Sequence, residues 1–362
     1  MEKKHYSGEH RRRSTSGAGT STGRRTRGSA DVLAAHRTPV LKRSIAQVLT
    51  TAIPFALVWY VMLRSLEYPY WTTLLLAVPA AGLLVRFFVI QHDCGHASFF
   101  RSRSANDALG RLIGVLTLTP YADWRNAHAI HHATSGNLSR RGVGDISTLT
   151  VKEYLSLPVR KRLAYRLYRN PLILFGIGPS YQFLLRHRLP SDLLHAGRKL
   201  WNSTLSTDLL IVGVAAIMIF TIGSGRFLMV HVPIVVMASM GGVWLFYIHH
   251  QFENTYWEQQ QDWDSRTAAM QGSSYYELPV ALRWFTGNIG LHHIHHLSSK
   301  IPNYRLRECL EASPELREVR RLTMAETRRA IWLALWDEEQ GRLVGFRHLE
   351  QASSGSRSRA AS

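Results

Sequence analysis

The sequence predicts an all-α integral-membrane protein, with four transmembrane helices in two hairpins, interfacial helices and a cytosolic helical cap. Three observations carry that prediction. Apolar residues make up 46% of the 362 residues, yet they gather into four long blocks instead of spreading evenly. Each block has about the twenty residues that a helix needs to cross a bilayer core. Around the blocks the chain is strongly basic, with 44 Lys and Arg against 25 Asp and Glu and a formal net charge of +19.

Residues 1–43 come first. They are rich in Ser, Gly, Thr and Arg, and their runs Arg11-Arg12-Arg13 and Arg24-Arg25 have no apolar period. This reads as a disordered basic tail that touches anionic lipid, with no role in binding nucleic acid. No secretory signal is expected, because the first apolar block begins only at Ile45. That block covers 45–63 and the second 71–90, joined by Glu67-Tyr68-Pro69-Tyr70, whose aromatics suit a membrane interface.

Two shorter apolar runs, 109–120 and 171–185, contain Gly or Pro and are too short to span; they predict helices lying in the interface. The third and fourth blocks, 207–222 and 227–248, are joined by Gly223-Ser224-Gly225-Arg226. Lys and Arg crowd the N-terminal tail and residues 140–199, while the first hinge has no cation and the second only Arg226. The positive-inside bias therefore places tail, central segment and C-terminus in the cytoplasm. The expected organisation is a membrane domain over 44–304, a charged cytosolic helical segment over 305–350 and a second disordered tail over 351–362. Two cysteines, Cys94 and Cys309, give no disulfide framework.

Eleven of the 18 histidines stand in four tight groups. These are His92-Asp93-Cys94-Gly95-His96, His128-Ala129-Ile130-His131-His132, the pair His249-His250, and His292-His293-Ile294-His295-His296. In the derived topology every group falls on the cytoplasmic side, and two follow the cytoplasmic ends of spans. Residues i and i+4 share a helix face, so His92 and His96 can present imidazoles to one point. Spacing at i, i+3 and i+4 is expected to do the same for His128, His131 and His132, and for His292, His295 and His296. Metal binding follows. Eight or nine imidazoles exceed what one ion accepts, so two ions fit better than one. Imidazole suits Zn, Cu, Fe and Ni alike. Hydrocarbon is the abundant substrate at a lipid interface, and breaking an unactivated C–H bond demands a strong oxidant, which redox-silent zinc cannot generate and iron with dioxygen can.

At these residues the chain resembles the membrane fatty acid desaturases of the acyl-lipid type found in bacteria and plastids. The matching stretches are His92 to His96, Trp124-Arg125 leading into His128 to His132, Ala133-Thr134-Ser135-Gly136-Asn137, and Arg141-Gly142-Val143-Gly144-Asp145. Further matches are His250-Gln251-Phe252-Glu253, then Gly287-Asn288-Ile289-Gly290 leading through the last box to Ile301-Pro302-Asn303-Tyr304. The pattern is most similar to the Δ12, or omega-6, branch, and Δ5 and other position-specific enzymes share much of it.

The resemblance implies a four-span fold whose cytosolic cap holds two irons, in the bacterial inner membrane with both termini cytoplasmic. It maps metal ligands onto His92, His96, His128, His131, His132, His250, His292, His295 and His296, with Asn288 contributing through a water. It implies a lipid-linked fatty acyl substrate, dioxygen as co-substrate and a cis double bond as product. His249 and His293 fall outside the ligand pattern. With no Gly-rich dinucleotide loop and no fused haem module, two electrons must arrive from a separate protein, ferredoxin in preference to cytochrome b5.

Asp93 and Asp145 are candidate acceptors for the outer nitrogens of ligand imidazoles, although Asp145 could equally cap a helix. Cys94 reads as a buried filler, and Trp124 and Arg125 as packing around the box. His5, His10, His36, His187, His195, His231 and His348 are isolated and read as structural or exposed. The alternatives are an acyl or alkyl hydroxylase with similar boxes and, in another class, a histidine-rich metal transporter. A transporter would bury ionisable residues inside its spans, and the four blocks are nearly free of them. A zinc protease is disfavoured because no His-Glu-x-x-His occurs.

Overall fold

The computed structural model describes residues 28–190 and 195–349. The predicted tail before residue 28 and the predicted tail 351–362 lie outside the described residues. Helix α1 (Ser29–His36) leads into the first hairpin, α2 (Leu41–Ser65) and α3 (Trp71–Gly95). Then come α4 (Arg103–Leu116), α5 (Tyr121–Thr134), β1 (Leu149–Thr150), α6 (Val151–Ser156) and α7 (Val159–Tyr168). A π-helical turn, Ile173–Ile177, runs into α8 (Gly178–Leu184). The second hairpin is α9 (Arg198–Ile222) and α10 (Ser224–His250). Short elements complete the chain: α11 (Ser265–Gln271), β2 (Tyr275–Tyr276), α12 (Val280–Phe285) and α13 (His292–Leu297) precede α14 (Leu306–Ala312). After these come β3 (Arg321–Leu322), α15 (Met324–Ala330), β4 (Leu333–Asp337) and β5 (Arg342–Gly345).

Helices α2, α3, α9 and α10 are long and apolar enough to cross a membrane. Each outruns its apolar block, because polar residues continue the helix beyond the hydrocarbon. At the far tip Arg64, missing from the sequence reading of the hinge, is paired with Glu67 at 3.0 Å. Helix α3 is the centre of the bundle. Ala77, Ala80 and Ala81 are buried against Met62 of α2 and Val230, Ile234 and Ala238 of α10. Lipid tails are as apolar as side chains, so close backbone approach through small residues holds such helices together. Helix α9 is peripheral, and its Phe220 is 93% exposed.

The opposite face of α3 receives α12 and the turn after it. Gly82 leaves room for Phe285, where a Cβ would stand 2.7 Å from the ring. One helical turn on, Arg86 lies 4.2 Å over the Trp284 ring and donates to the Trp284 carbonyl. Val89 then abuts Gly287. Positions 82, 86, 89 and 93 recur at i, i+4, i+7 and i+11, a single helix face.

Two expectations need correction. Part of the predicted tail is ordered: α1 buries Val32 and Leu33 against Ile294, Ile301 and Leu306. Two adjacent apolar side chains in one turn suffice when a ready apolar surface receives them. The segment expected to be helical over 305–350 also contains strands. Strand β4 pairs parallel with β1 and antiparallel with β5. Its reversal is local chemistry: Asp337 Oδ1 accepts from the N–H groups of Glu339 (3.0 Å) and Gln340 (3.1 Å), and Gly341 takes φ +59°. The hairpin partner β5 is local, whereas β1, which pairs with the other edge of β4, lies far upstream in sequence, beyond the reach of local propensity. Of the interfacial runs, the first lies in α4 and the second in the π-turn and α8, and Leu112, Leu172 and Ile177 remain exposed.

Candidate metal centre

All four histidine boxes converge at one end of the bundle. Helix α3 extends past its apolar block to carry His92, with His96 as its C-terminal cap residue. Helix α5 carries the second box, α10 ends on His250, and α13 is the last box itself. The turn that aims α13 has two successive left-handed residues, Gly287 (φ +55°) and Asn288 (φ +58°). A Cβ on Gly287 would lie 2.8 Å from Val89 Cγ1 and 2.9 Å from Asn303 Oδ1, so the close approach requires glycine. Asn is among the few other residues that enter this region readily.

The imidazoles form two groups whose ligand atoms lie within 4.8 Å of one another. The first unites His92, His96, His128, His132 and His295; the second unites His131, His250, His292 and His296. The expectation that each i, i+3, i+4 triplet meets at one point is therefore corrected. His131 leaves His128 and His132 for the other group, and His295 leaves His292 and His296. Helix geometry explains the split. At 3.6 residues per turn, i+4 sits about 40° to one side of i and i+3 about 60° to the other. The i, i+4 pair serves one group while the i+3 ring swings to its neighbour, so each triplet bridges both.

Neighbouring Nε2 atoms lie 3.0–3.1 Å apart in both groups: His128 with His132 and His132 with His295, then His131 with His250, His250 with His292 and His292 with His296. Outer partners fix the tautomer for two of these rings. His131 Nδ1 donates to Asp145 Oδ1 at 2.5 Å, and His250 Nδ1 donates to the Gly272 carbonyl at 3.0 Å. Their Nε2 atoms consequently carry lone pairs facing other nitrogens. Lone pairs gathered at this separation need a cation among them. Donor atoms about 2.1 Å from a shared ion and at right angles lie about 3.0 Å apart. His96 Nε2 is buried with no hydrogen-bond partner, a further open donor.

Burial, followed by the charge of neighbouring histidines, holds His128, His132, His292, His295 and His296 well below the usual imidazole range. His96 is lowered in the same way. Neutral imidazole is the form that binds metal. The all-nitrogen donor set thus suits metal ions, one for each group.

The remaining candidates fall as follows. Asp145 reaches its histidine because Gly144, at φ +72°, lets the loop approach α5; a Cβ there would stand 2.8 Å from the Ala127 carbonyl. Asp93 Oδ1 lies 3.3 Å from His92 Nδ1, but its shorter contacts run elsewhere, to Asn303. The Asn288 side chain makes no hydrogen bond to the histidines among the described residues. His249 belongs to neither group and stacks on His292 at 4.1 Å, while His293 Nε2 donates to the Leu316 carbonyl at 3.0 Å. Trp124 stacks on His128 at 4.7 Å, and Arg125 pairs with Asp107 at 2.7 Å. Cys94 is a fully buried free thiol in the core around Phe99 and Tyr121. His36, His187, His231 and His348 stand apart from both groups; His5 and His10 lie outside the described residues. Sequence reading missed Gly272, whose carbonyl carries no side-chain signal, and the partnership of Gln47 with Asn303.

Four helices long and apolar enough to cross a membrane, with nine imidazoles brought together at one end of the bundle by α3, α5, α10 and α13, define a membrane-bound enzyme of the histidine-box kind. The profile of the family described as "Fatty acid desaturase" matches residues 68–328, and the chain belongs to that family. It is 46% identical to a "Fatty acid desaturase" of Bacillus subtilis (strain 168), over 88% of this chain and 90% of that protein. It is 30% identical to an "sn-1 acyl-lipid omega-3 desaturase (ferredoxin)" of Nostoc sp. (strain 36), over 69% and 68% of the two chains. With the chloroplastic "Omega-6 fatty acid desaturase" of Arabidopsis thaliana it shares 27% identity, over 68% of this chain and 54% of the other.

Proposed function

We propose that this fatty acid desaturase inserts a cis double bond at the Δ12, or omega-6, position of a lipid-linked acyl chain. Two iron ions serve the reaction, one in each histidine group. Dioxygen is the co-substrate, ferredoxin the electron donor, and the centre faces the cytoplasm at the bacterial inner membrane. The observation that carries this reading is the pairing of two all-imidazole groups that share their boxes.

His92, His96, His128, His132 and His295 would hold one ion, and His131, His250, His292 and His296 the other, with Asn288 reached through a water. Bound iron supplies, with dioxygen, an oxidant strong enough to break an unactivated C–H bond. The chain does the rest. Asp145 keeps the His131 proton on Nδ1, and the Gly272 carbonyl does the same for His250, so both Nε2 lone pairs stay free. Trp124 packs on His128 and Phe246 on His131, which holds these rings in place and would shield that side of the centre from water. Bundle geometry selects which methylene meets the centre.

Ferredoxin is favoured by the basic composition, which suits an acidic carrier, and by the printed name of the Nostoc relative. The Δ12 position is favoured by the motif resemblance and the Arabidopsis relative. The test is the fatty acid profile of a host expressing the chain with ferredoxin, wild type against His295→Ala. A double bond at Δ12 made only by wild type supports the whole reading. A double bond at Δ5 or omega-3 moves the position alone, and hydroxylated chains overturn desaturation.

A further inference from the structure

Asp93 has two sets of partners of unequal strength. Its Oδ1 is 3.3 Å from His92 Nδ1, whereas Oδ2 accepts from the Asn303 backbone N–H at 2.7 Å and from Asn303 Nδ2 at 2.8 Å. Asn303 is in turn joined amide to amide with Gln47 of α2. Gln47 Nε2 donates to Asn303 Oδ1 at 3.0 Å, and Asn303 Nδ2 donates to Gln47 Oε1 at 3.2 Å. Asp93 and Asn303 are each 1% exposed and Gln47 5%. A carboxylate and two amides buried together are expensive unless every member is satisfied, and here each has a partner.

Position gives the network its meaning. Gln47 lies on the first span and Asp93 at the end of the second. Asn303 follows the last histidine box, at the end of the α3 face that receives α12 and Gly287. The tie therefore fixes the register of α3, which carries His92 and His96, against the segment that carries His295. All three histidines belong to the first group, whereas α13 also carries His292 and His296 of the second, so the tie holds the first group from both sides and the second from one. The second group has its own device in Asp145 and the Gly272 carbonyl and does not touch the tie.

We propose that Asn303, braced by Gln47, is a positioning residue for the first metal group, acting through Asp93 and the α3 register. The consequence is selective. Breaking the tie empties the first group, which loses its register on both α3 and α13, while the second keeps its ion through the direct grips on His131 and His250. The inference rests on the two-ion reading above, and the experiment separates the two failures.

The full chain is purified from membranes in detergent, loaded with ferrous iron, and its iron-to-protein ratio measured by elemental analysis beside a thermal melt. Wild type is expected to hold two ions. Asn303→Asp sets a second carboxylate against Asp93 and lowers the ratio to one. In a His295→Ala background it causes no further loss, and in a His250→Ala background it removes the remaining ion. The exchange Asp93→Asn with Asn303→Asp removes the pair of carboxylates while the backbone N–H of residue 303 still reaches the side-chain oxygen of residue 93, and it returns part of the second ion. Two ions retained by Asn303→Asp, equal losses in both backgrounds, or no rescue by the exchange would overturn the proposal. A wild type that binds no metal sinks the two-ion reading itself.

Discussion

The two histidine groups share boxes and helices yet are held in different ways. In the second, the outer nitrogens of His131 and His250 are each gripped directly, by Asp145 and by the Gly272 carbonyl. In the first, the best outer contact is the 3.3 Å approach of Asp93 to His92, and His295 Nδ1 is buried without a partner. His96, His128 and His132 are also half-buried, whereas three of the four rings in the second group are fully buried. His292 Nδ1 of the second group is likewise buried without a partner, so the second group is secured through two of its four rings and the first by fixing the helices beneath it. A site can be preorganised by either route, because rotamer and backbone register are both degrees of freedom that a ligand set must lose.

The comparison can be broken or sharpened by graded variants. The largest effect is expected from the ligand deletions His295→Ala and His250→Ala. Each should reduce product by more than the about 10–100-fold that follows loss of an outer partner, read as double-bond yield by gas chromatography. Substantial activity in either variant would mean that the groups do not act as one centre. Next, Asp145→Asn should weaken metal binding by about 10–100-fold, measured by chelator competition, with the loss confined to one of two ions. An unchanged affinity would remove the contrast between ring-held and helix-held groups.

Gly144→Ala should act on the same group from further away. It forces a Cβ against the Ala127 carbonyl at positive φ, a strain of about 1–3 kcal/mol. The expected result is a lower melting temperature together with weaker metal retention. The smallest effect belongs to His249→Gln, since His249 stacks on His292 without joining either group. Its iron-to-protein ratio should stay at the wild-type value, and a lost ion would place His249 among the ligands.

Much of this was legible in the sequence. The spans could be read because bilayer thickness demands about twenty apolar residues, whatever the neighbours do. The nine convergent histidines could be read because their spacing obeys the helix period. Asp145 was visible as a carboxylate close to a box. Other features were hidden. Gly272 acts through its backbone, which no residue type announces. Asn303 and Gln47 are far apart in the chain and carry no spacing signal. Strand β4 gains a second partner in distant β1 beside its hairpin partner β5, and α1 is ordered because Ile294 and Leu306 receive Val32 and Leu33.

The sequence by itself determined the membrane class, the number of spans and the roster of imidazoles, since hydropathy and helical periodicity are local properties of a chain. Only the tertiary structure decided which ring joins which group. His131 and His295 part from their own boxes because the 100° step of a helix spreads a triplet across more than one target, and only the packing of α3, α5, α10 and α13 says where those targets lie.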